Sequence, residues 1–348
     1  MDVRDPLSTL SALNDERVSH GVVRVARVDD LSEFGSGLDA WDAVYEQLTP
    51  GCFEGGIREI WIDERLEILW EVGSQAVWTV GSNLEGMVSL GLPVASGGAG
   101  IYCGVPLDDG AMSFLPGGKE FEIYCRGRMD MVSATVAETL LMEFAAVEAP
   151  QVAERMSGQP RVRQQPLHAA KLRRALAEIF RAVELHPKLL QIEASRRAMR
   201  DCVLSLVVEA LDLNAKRSPW SLHPSAKAWI VRTVREHALN HPDDPLNIAD
   251  ICRLFRISRR SLQYAFEDLT GMGAVHFLRN VRLNAVRREI RRLAFAPAES
   301  IASIAARWGF WHMPRFAEYY RGLFGELPSE TRGKAVGGTS AVARLLDH

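Results

Sequence analysis

The C-terminal third of the chain carries one pattern of apolar and polar positions twice. The first copy is Asn247-Ile-Ala-Asp-Ile-Cys-Arg-Leu-Phe-Arg-Ile-Ser258-Arg-Arg-Ser-Leu-Gln-Tyr-Ala-Phe266. The second is Ser303-Ile-Ala-Ala-Arg-Trp-Gly-Phe310-Trp-His-Met-Pro-Arg-Phe-Ala-Glu-Tyr-Tyr320. Each predicts a short apolar helix, a tight turn, and a second helix that opens with polar side chains. Leu262 and Phe266 share the inward face of the first unit, as Phe316 and Tyr320 do in the second. Ser258 suits a helix N-cap. Gly309 supplies the positive φ of a tight inter-helix turn, and Pro314 falls in a first helical turn, where its missing N–H is harmless. Between the units, Ala274 to Leu293 patterns as one long helix. Phe277, Val281, Leu283 and Ile290 are its apolar positions, and Arg279, Arg282, Arg287, Arg288, Arg291 and Arg292 also lie on it.

Upstream the period changes from helical to alternating. Runs at Ile57–Ile62, Leu66–Glu71, Ala76–Val80, Gly86–Val94, Ile101–Val105, Ala111–Leu115, Phe121–Cys125 and Met129–Ser133 are separated by Gly, Asn or Asp. Many short strands at this spacing predict a small barrel or sandwich. Trp41 to Leu48 reads as a short helix ended by Pro50-Gly51, and Val136 to Val147 as a helix closing the strand region. Gln151 to Pro166 reads as a linker. Beyond it, Leu172, Leu176, Ile179 and Val183 mark one helix face up to His186-Pro187. A second helix has Cys202, Val203, Leu206, Val207, Ala210 and Leu211 on one side. These two helices are candidates for a homodimer face.

The expected fold class is therefore α+β. A β-rich, cupin-like or barrel, sensor domain spans residues 1–165. A helical linker or dimerisation segment spans 166–222. An all-α domain with two helix-turn-helix units spans 223–335, and a disordered tail spans 336–348.

Charge sharpens the picture. The whole chain is mildly acidic, with 41 Lys and Arg against 44 Asp and Glu. Residues 224–334 nevertheless hold 18 basic and 11 acidic side chains, whereas residues 1–223 hold 22 and 32. Positive charge is concentrated where the helix-turn-helix pattern lies, as phosphate binding requires. The second helix of each unit is the element that enters a major groove. Its candidate DNA-binding residues are Ser258, Arg259, Arg260, Gln263 and Tyr264 in the first unit and His312, Met313, Arg315 and Glu318 in the second. Arg and Gln suit guanine and adenine edges. A linking helix of about twenty residues is roughly 30 Å long, close to one DNA turn.

Residues 226–332 resemble the DNA-binding domain of AraC/XylS-type transcription regulators. The resemblance rests on Ile251-Cys252, Ser258, Arg282-Leu-Asn-Ala-Val-Arg287, Ile304-Ala305, Gly309-Phe310, Phe324-Gly325, Pro328 and Arg332. The sequence departs from that pattern at Arg256, where a turn glycine is usual, at Thr331, where tyrosine is usual, and at Tyr320, where phenylalanine is usual. The stretches Trp41–Gly55, Pro116–Glu122, Ser258–Gln263, Val281–Glu289 and Trp308–His312 further resemble the ethanolamine-utilisation regulator branch. That resemblance implies promoter DNA and RNA polymerase as partners, and ethanolamine with adenosylcobalamin as effectors; no cofactor is required.

The first 167 residues contain one histidine, His20. Metal-cupin ligand sets, Ser-His-Asp or Cys-His catalysis and an imidazole ligand to cobalt are thereby unsupported, so no enzyme and no metal site are expected. A small ammonium effector needs an aromatic wall and a carboxylate. The candidate ligand residues are Glu59, Trp61, Asp63, Trp70 and Trp78, with alternation placing Glu59, Trp61 and Asp63 on one face. The five cysteines show no close pairing and read as reduced, mostly buried thiols. With neither a leader segment nor a long apolar run, a cytoplasmic, nucleoid-associated protein is expected. The alternative is a DNA-binding regulator whose N-terminal domain binds a protein partner.

Overall fold

The computed structural model describes residues 22–28, 30–34, 38, 40–94, 100–148, 160–211, 226–242, 248–293, 299–310 and 312–335. The arm at residues 1–21 with His20, most of the Ala95–Gly100 stretch, linker residues 151–159 and the 336–348 tail lie outside them. The chain divides into two units. One comprises Met1–Tyr45 with Glu54–Pro224, the other Glu46–Phe53 with Ser225–His348.

The first unit is built on two antiparallel sheets. In chain order its strands are β1 (Val22–Val28), β2 (Trp41–Gln47), β3 (Gly55–Asp63), β4 (Leu66–Gly73), β5 (Val77–Asn83) and β6 (Met87–Pro93). They continue with β7 (Gly100–Tyr102), β8 (Val105–Leu107), β9 (Ala111–Leu115), β10 (Glu120–Cys125), β11 (Met129–Ala137) and β12 (Arg161–Gln164). One sheet runs β1-β3-β4-β11-β6-β9-β12 and the other β2-β5-β10-β7-β8. A short helix α1 (Leu31–Phe34) follows β1. The β-rich N-terminal half and helical C-terminal half make the chain α+β.

Seven of the eight runs read from alternation are each one strand, whereas Ile101–Val105 is split into β7 and β8 by a turn at Cys103 and Gly104, both at positive φ. Three further strands are not where the sequence placed them. Trp41 to Leu48 is not a helix but β2, paired beside β5. Trp41, Tyr45 and Leu48 fit a helical period, yet their neighbours alternate equally well. β1 forms in the presumed polar arm because its valine-rich run, Val22, Val23, Val25 and Val28, pairs along β3. β12 lies in the presumed linker and pairs with β9.

Three helices cover the larger sheet: α2 (Glu138–Glu148), α3 (Pro166–Leu185) and α4 (Glu193–Leu211), with a 3-10 turn at Pro187–Gln191 between the last two. Leu172, Leu176, Ile179 and Val183 of α3, with Val203, Val207 and Leu211 of α4, join the same core as Ile60, Ile68, Leu90 and Val132 of the sheet. The apolar faces offered by sequence as a dimer surface are thus buried within their own unit. At roughly 25 cal/mol per Å² their burial is a main contribution to holding helices on sheet. Arg163 of β12, 1% exposed, donates through Nη1 to the Ala210 carbonyl at 2.9 Å, satisfying one of the last open carbonyls of α4.

The second unit holds α5 (Ala226–Asn240), α6 (Ile248–Phe255), α7 (Arg259–Thr270), α8 (Ala274–Arg292), α9 (Ile301–Arg307) and α10 (Met313–Phe324). The segment Glu46–Phe53 is part of it. Asn284 of α8 accepts from the Gln47 amide at 2.9 Å and donates to the Gln47 carbonyl at 2.8 Å. Asn280, one turn earlier, donates to the Leu48 carbonyl at 2.8 Å. The Gln47 side chain and the Gly51 amide both donate to the Leu323 carbonyl at the end of α10. Glu46, fully buried, accepts from Arg235 Nε at 3.0 Å and Arg288 Nη1 at 3.1 Å. Burial pushes its pKa up, but the two guanidinium groups outweigh that and hold it below the usual carboxylate value.

Among the described residues no helix is long and apolar enough to cross a membrane, and no three His, Cys, Asp or Glu side chains cluster as a metal site needs. The thiols are less buried than expected. Cys125 is buried, Cys103 and Cys252 are half-buried, and Cys52 and Cys202 are exposed.

Candidate nucleic-acid interface and ligand cavity

The two helix-turn-helix units are built by the same local rules. In the first, the turn after α6 places Arg256 at φ +52°, with its amide donating to Arg253 O and the Ile257 amide to Cys252 O. In the second, the turn after α9 places Gly309 at φ +81°, its amide donating to Ala306 O and the Phe310 amide to Ala305 O. The two turns are residue-for-residue equivalents, with an arginine holding the left-handed position in one.

The helices that follow are capped. Ser258 Oγ accepts from the Ser261 amide at 3.0 Å at the start of α7. His312 Nδ1 accepts from the Arg315 amide at 3.2 Å at the start of α10. Both helices end on a left-handed glycine, Gly271 and Gly325. Leu262, Ala265, Phe266 and Leu269 are the buried face of α7, with the Phe266 and Phe277 rings 5.3 Å apart. That leaves Arg259, Arg260, Gln263 and Tyr264 outward and exposed. Arg260 donates through Nη2 to the Tyr264 hydroxyl at 3.0 Å and lies 5.4 Å over that ring. Gln263 donates to Glu267 at 2.5 Å.

In α10, Arg315 and Glu318 are exposed. Met313 instead packs half-buried against the second unit's core, and one ring nitrogen of His312 is committed to the cap. The α8 arginines also have internal partners. Arg279 lies 4.1 Å over the Tyr319 ring, Arg287 pairs with Glu326 at 2.9 Å, and Arg288 pairs with Glu46.

Two departures from the resemblance pattern prove to be partners. The hydroxyls of Tyr320 and Thr331, both fully buried, lie 2.9 Å apart. Thr331 donates in turn to Glu326 at 2.5 Å.

In the first unit a cavity lies between the two sheets. Its lining includes Trp41 and Tyr45 from β2, Glu71 from β4, Tyr102 from β7, and Phe121 and Cys125 from β10. The Trp41 and Phe121 rings meet edge-on at 5.7 Å, and Tyr102 stacks with Phe121 at 6.1 Å. Across from them, the Tyr45 hydroxyl donates to Glu71 Oε1 at 2.5 Å. Burial raises the Glu71 pKa to about 7, the Tyr45 hydrogen bond offsetting part of the effect. The same burial, with Glu71 nearby, pushes the Cys125 thiol up to about 12 and leaves it inert.

The ligand residues expected from sequence do not line this cavity. Glu59 is buried, accepts from Trp61 Nε1 at 3.0 Å and faces Arg24 at 3.4 Å, so alternation did put the pair on one face. Asp63 pairs with Arg200 at 2.9 Å. Trp70 donates to Asp130 at 2.8 Å and meets Phe180 edge-on. Trp78 is buried beside Tyr124. The cavity-facing carboxylate belongs to the neighbouring strand. Sheet register and closure decide that, and neither shows in alternation.

Residues 251–334 match the family model for a helix-turn-helix domain. The chain is 32% identical over 132 residues to the "Probable thc operon regulatory protein" of Rhodococcus erythropolis, covering 38% of this chain and 39% of that protein. It is 32% identical over 129 residues to the "XylDLEGF operon transcriptional activator" of Pseudomonas putida, with 37% and 39% covered. The chain thus spans about two-fifths of the length of these relatives. Among solved structures it is similar to the AraC-like transcriptional activator CuxR, with a TM-score of 0.41 and 16% identity, covering 82% of this chain and 98% of that one. Residues 251–334 are a helix-turn-helix domain, and the matched stretch is similar to that of the operon regulators named above.

Proposed function

We propose that the protein is a sequence-specific DNA-binding transcription regulator, an activator, whose β-rich half senses a small molecule. The observation that carries this reading is the repeated helix-turn-helix with an ordered polar face on α7. Arg259, Arg260, Gln263 and Tyr264 project together from a capped helix whose other face is core. At about 28 Å, the 19-residue α8 is nearly the length of one DNA turn. α7 and α10 thereby read successive major grooves, with Arg315 and Glu318 as the α10 contacts. The test is selection of a duplex by the full chain followed by band-shift titration. Gln263→Ala is expected to weaken the selected site by about 1–3 kcal/mol and relax one base position. Equal loss on random DNA would reduce Gln263 to a phosphate contact. RNA polymerase is the partner through which bound protein activates. A homodimer, if formed, uses surfaces other than the buried faces of α3 and α4.

The effector site in this reading is the cavity between the sheets. Its lining is mostly apolar and aromatic with a few polar groups, the composition of small-molecule sites. The resemblance to the ethanolamine-utilisation branch suggests ethanolamine as the effector, with adenosylcobalamin. The cavity does not fit adenosylcobalamin: a corrinoid with its nucleotide loop far exceeds the ligands such cavities hold. Titration with ethanolamine, with and without adenosylcobalamin, read by calorimetry and operator affinity, tests the branch reading. No heat and no change in operator affinity would remove it and leave the DNA-binding assignment intact.

A further inference from the structure

The cavity between the sheets offers one kind of charge. Among the described residues that line it, Glu71 is the carboxylate and none is Lys, Arg or His. A carboxylate or phosphate ligand would enter without a counter-charge, beside a group that repels it. Arg161, the cation near Tyr102, lies 4.1 Å over the Phe114 ring and is not part of the lining.

The polar groups besides Glu71 are largely engaged. Ser89 accepts from Asn83 at 3.1 Å and donates to Thr135 at 3.0 Å, and Ser113 donates to the Gly91 carbonyl at 3.2 Å. Glu71 differs. It is enclosed by protein, yet keeps accessible surface, which a group fronting an internal cavity has. Tyr45 holds one of its oxygens in place. Trp41, Phe121 and Tyr102 form a continuous aromatic wall, against which an apolar or aromatic body packs.

We propose that this cavity binds a primary amine carried on an apolar, aromatic-sized body, with the ammonium on Glu71 and the body against Trp41, Phe121 and Tyr102. The inference rests on the reading of the cavity as the effector site and names the class of effector. Ethanolamine shares the amine, but it would set a hydroxyl, in place of an apolar body, against the aromatic wall. Glu71, raised to about 7 by burial, regains a counter-charge when the ammonium arrives.

The test uses the full chain and four probes in calorimetry: phenethylamine, phenethyl alcohol, phenylpropionate and ethanolamine. Phenethylamine is expected to bind most tightly and phenylpropionate not at all. Glu71→Gln keeps an acceptor for Tyr45 and is expected to weaken phenethylamine about ten- to a hundredfold, as for a hydrogen bond to a charged group. Phe121→Leu removes one aromatic face and is expected to cost roughly two- to tenfold. Thermal unfolding of both variants without ligand shows that they are folded. Binding of phenylpropionate as tight as that of the amine, or an unchanged affinity in folded Glu71→Gln, overturns the amine assignment. Ethanolamine binding tighter than phenethylamine overturns the apolar body. Operator band shifts separate this proposal from the regulator reading. Amine binding without any effect on operator affinity sinks the effector role alone. Operator binding with no amine bound sinks the amine site alone.

Discussion

The two helix-turn-helix units share a plan but not a means of holding it. The first is secured by rings and aliphatics: Leu262 and Phe266 of α7 against Phe277 of α8. The second adds a buried polar chain to its apolar core. Tyr320 reaches Thr331, Thr331 reaches Glu326, and Glu326 pairs with Arg287 of α8 at 2.9 Å and Lys334 at 2.7 Å. An apolar core loses stability in proportion to the volume removed. A buried ion pair instead loses little if both partners go together and a great deal if one is left alone. The comparison therefore says that the two halves should fail differently.

The largest expected effect follows directly. Glu326→Ala removes the carboxylate paired with Arg287, which is 7% exposed, and should destabilise the helical unit by about 3 kcal/mol. Phe266→Ala in the first unit should cost a similar 3–5 kcal/mol, by cavity formation. Urea unfolding followed by helical circular dichroism measures both, and pH separates them. Burial alone would raise the Glu326 pKa, but hydrogen bonds from Lys334 and Thr331 and the charge on Arg287 leave it lowered. A carboxylate with a lowered folded pKa contributes stability above its unfolded value of 4.5 and loses it as pH falls through the folded value. The penalty of Glu326→Ala should therefore shrink below about pH 4.5, while that of Phe266→Ala should not. Equal behaviour of the two variants in acid would show that the ion pair does not hold the second unit.

The next effect concerns reading. In α7 the cap is a serine, so none of Arg259, Arg260, Gln263 and Tyr264 is used in the cap, and the bonds Arg260 and Gln263 make lie on the exposed face. In α10 the His312 ring is part of the cap and Met313 is partly core. Base discrimination should then be concentrated in the first unit. Arg260→Ala should weaken the selected duplex by about 1–3 kcal/mol, and Arg315→Ala by less, with both read in band shifts at one salt concentration. A larger loss for Arg315→Ala would invert the assignment and make α10 the main reader.

The two units were legible in sequence because their information is local. A capping serine, a turn glycine and apolar residues four apart specify a helix-turn-helix with no knowledge of distant residues. The eight runs of alternating residues were legible for the same reason. What escaped depends on remote pairing. Trp41, Tyr45 and Leu48 satisfy a helical period, and only pairing beside β5 decides for a strand. Glu59 and Glu71 are both carboxylates on predicted strands, and sheet closure turns Glu71 to the cavity while leaving Glu59 with Trp61 and Arg24. Tyr320 and Thr331 looked like two separate departures from a pattern until the fold placed their hydroxyls 2.9 Å apart.

The smallest effect tests the equivalence of the two turns. Arg256 and Gly309 occupy the same hydrogen-bonded position at φ +52° and +81°. A left-handed conformation costs a residue with a Cβ on the order of 1–2 kcal/mol. Replacing it with glycine removes that strain but gives the unfolded chain more freedom, which returns roughly 0.5–1 kcal/mol. Arg256→Gly should therefore raise the stability of the helical unit by about 0.5–1 kcal/mol, and Gly309→Ala should lower it by about 1 kcal/mol. In thermal unfolding of the full chain these are shifts of roughly 2–4 °C in opposite directions. The Arg256 side chain is exposed, so little packing is forfeited in the exchange. If Arg256→Gly instead lowers the unfolding temperature, the guanidinium contributes more to the native state than its backbone strain costs. The first turn would then be held by that side chain and the second by its backbone alone.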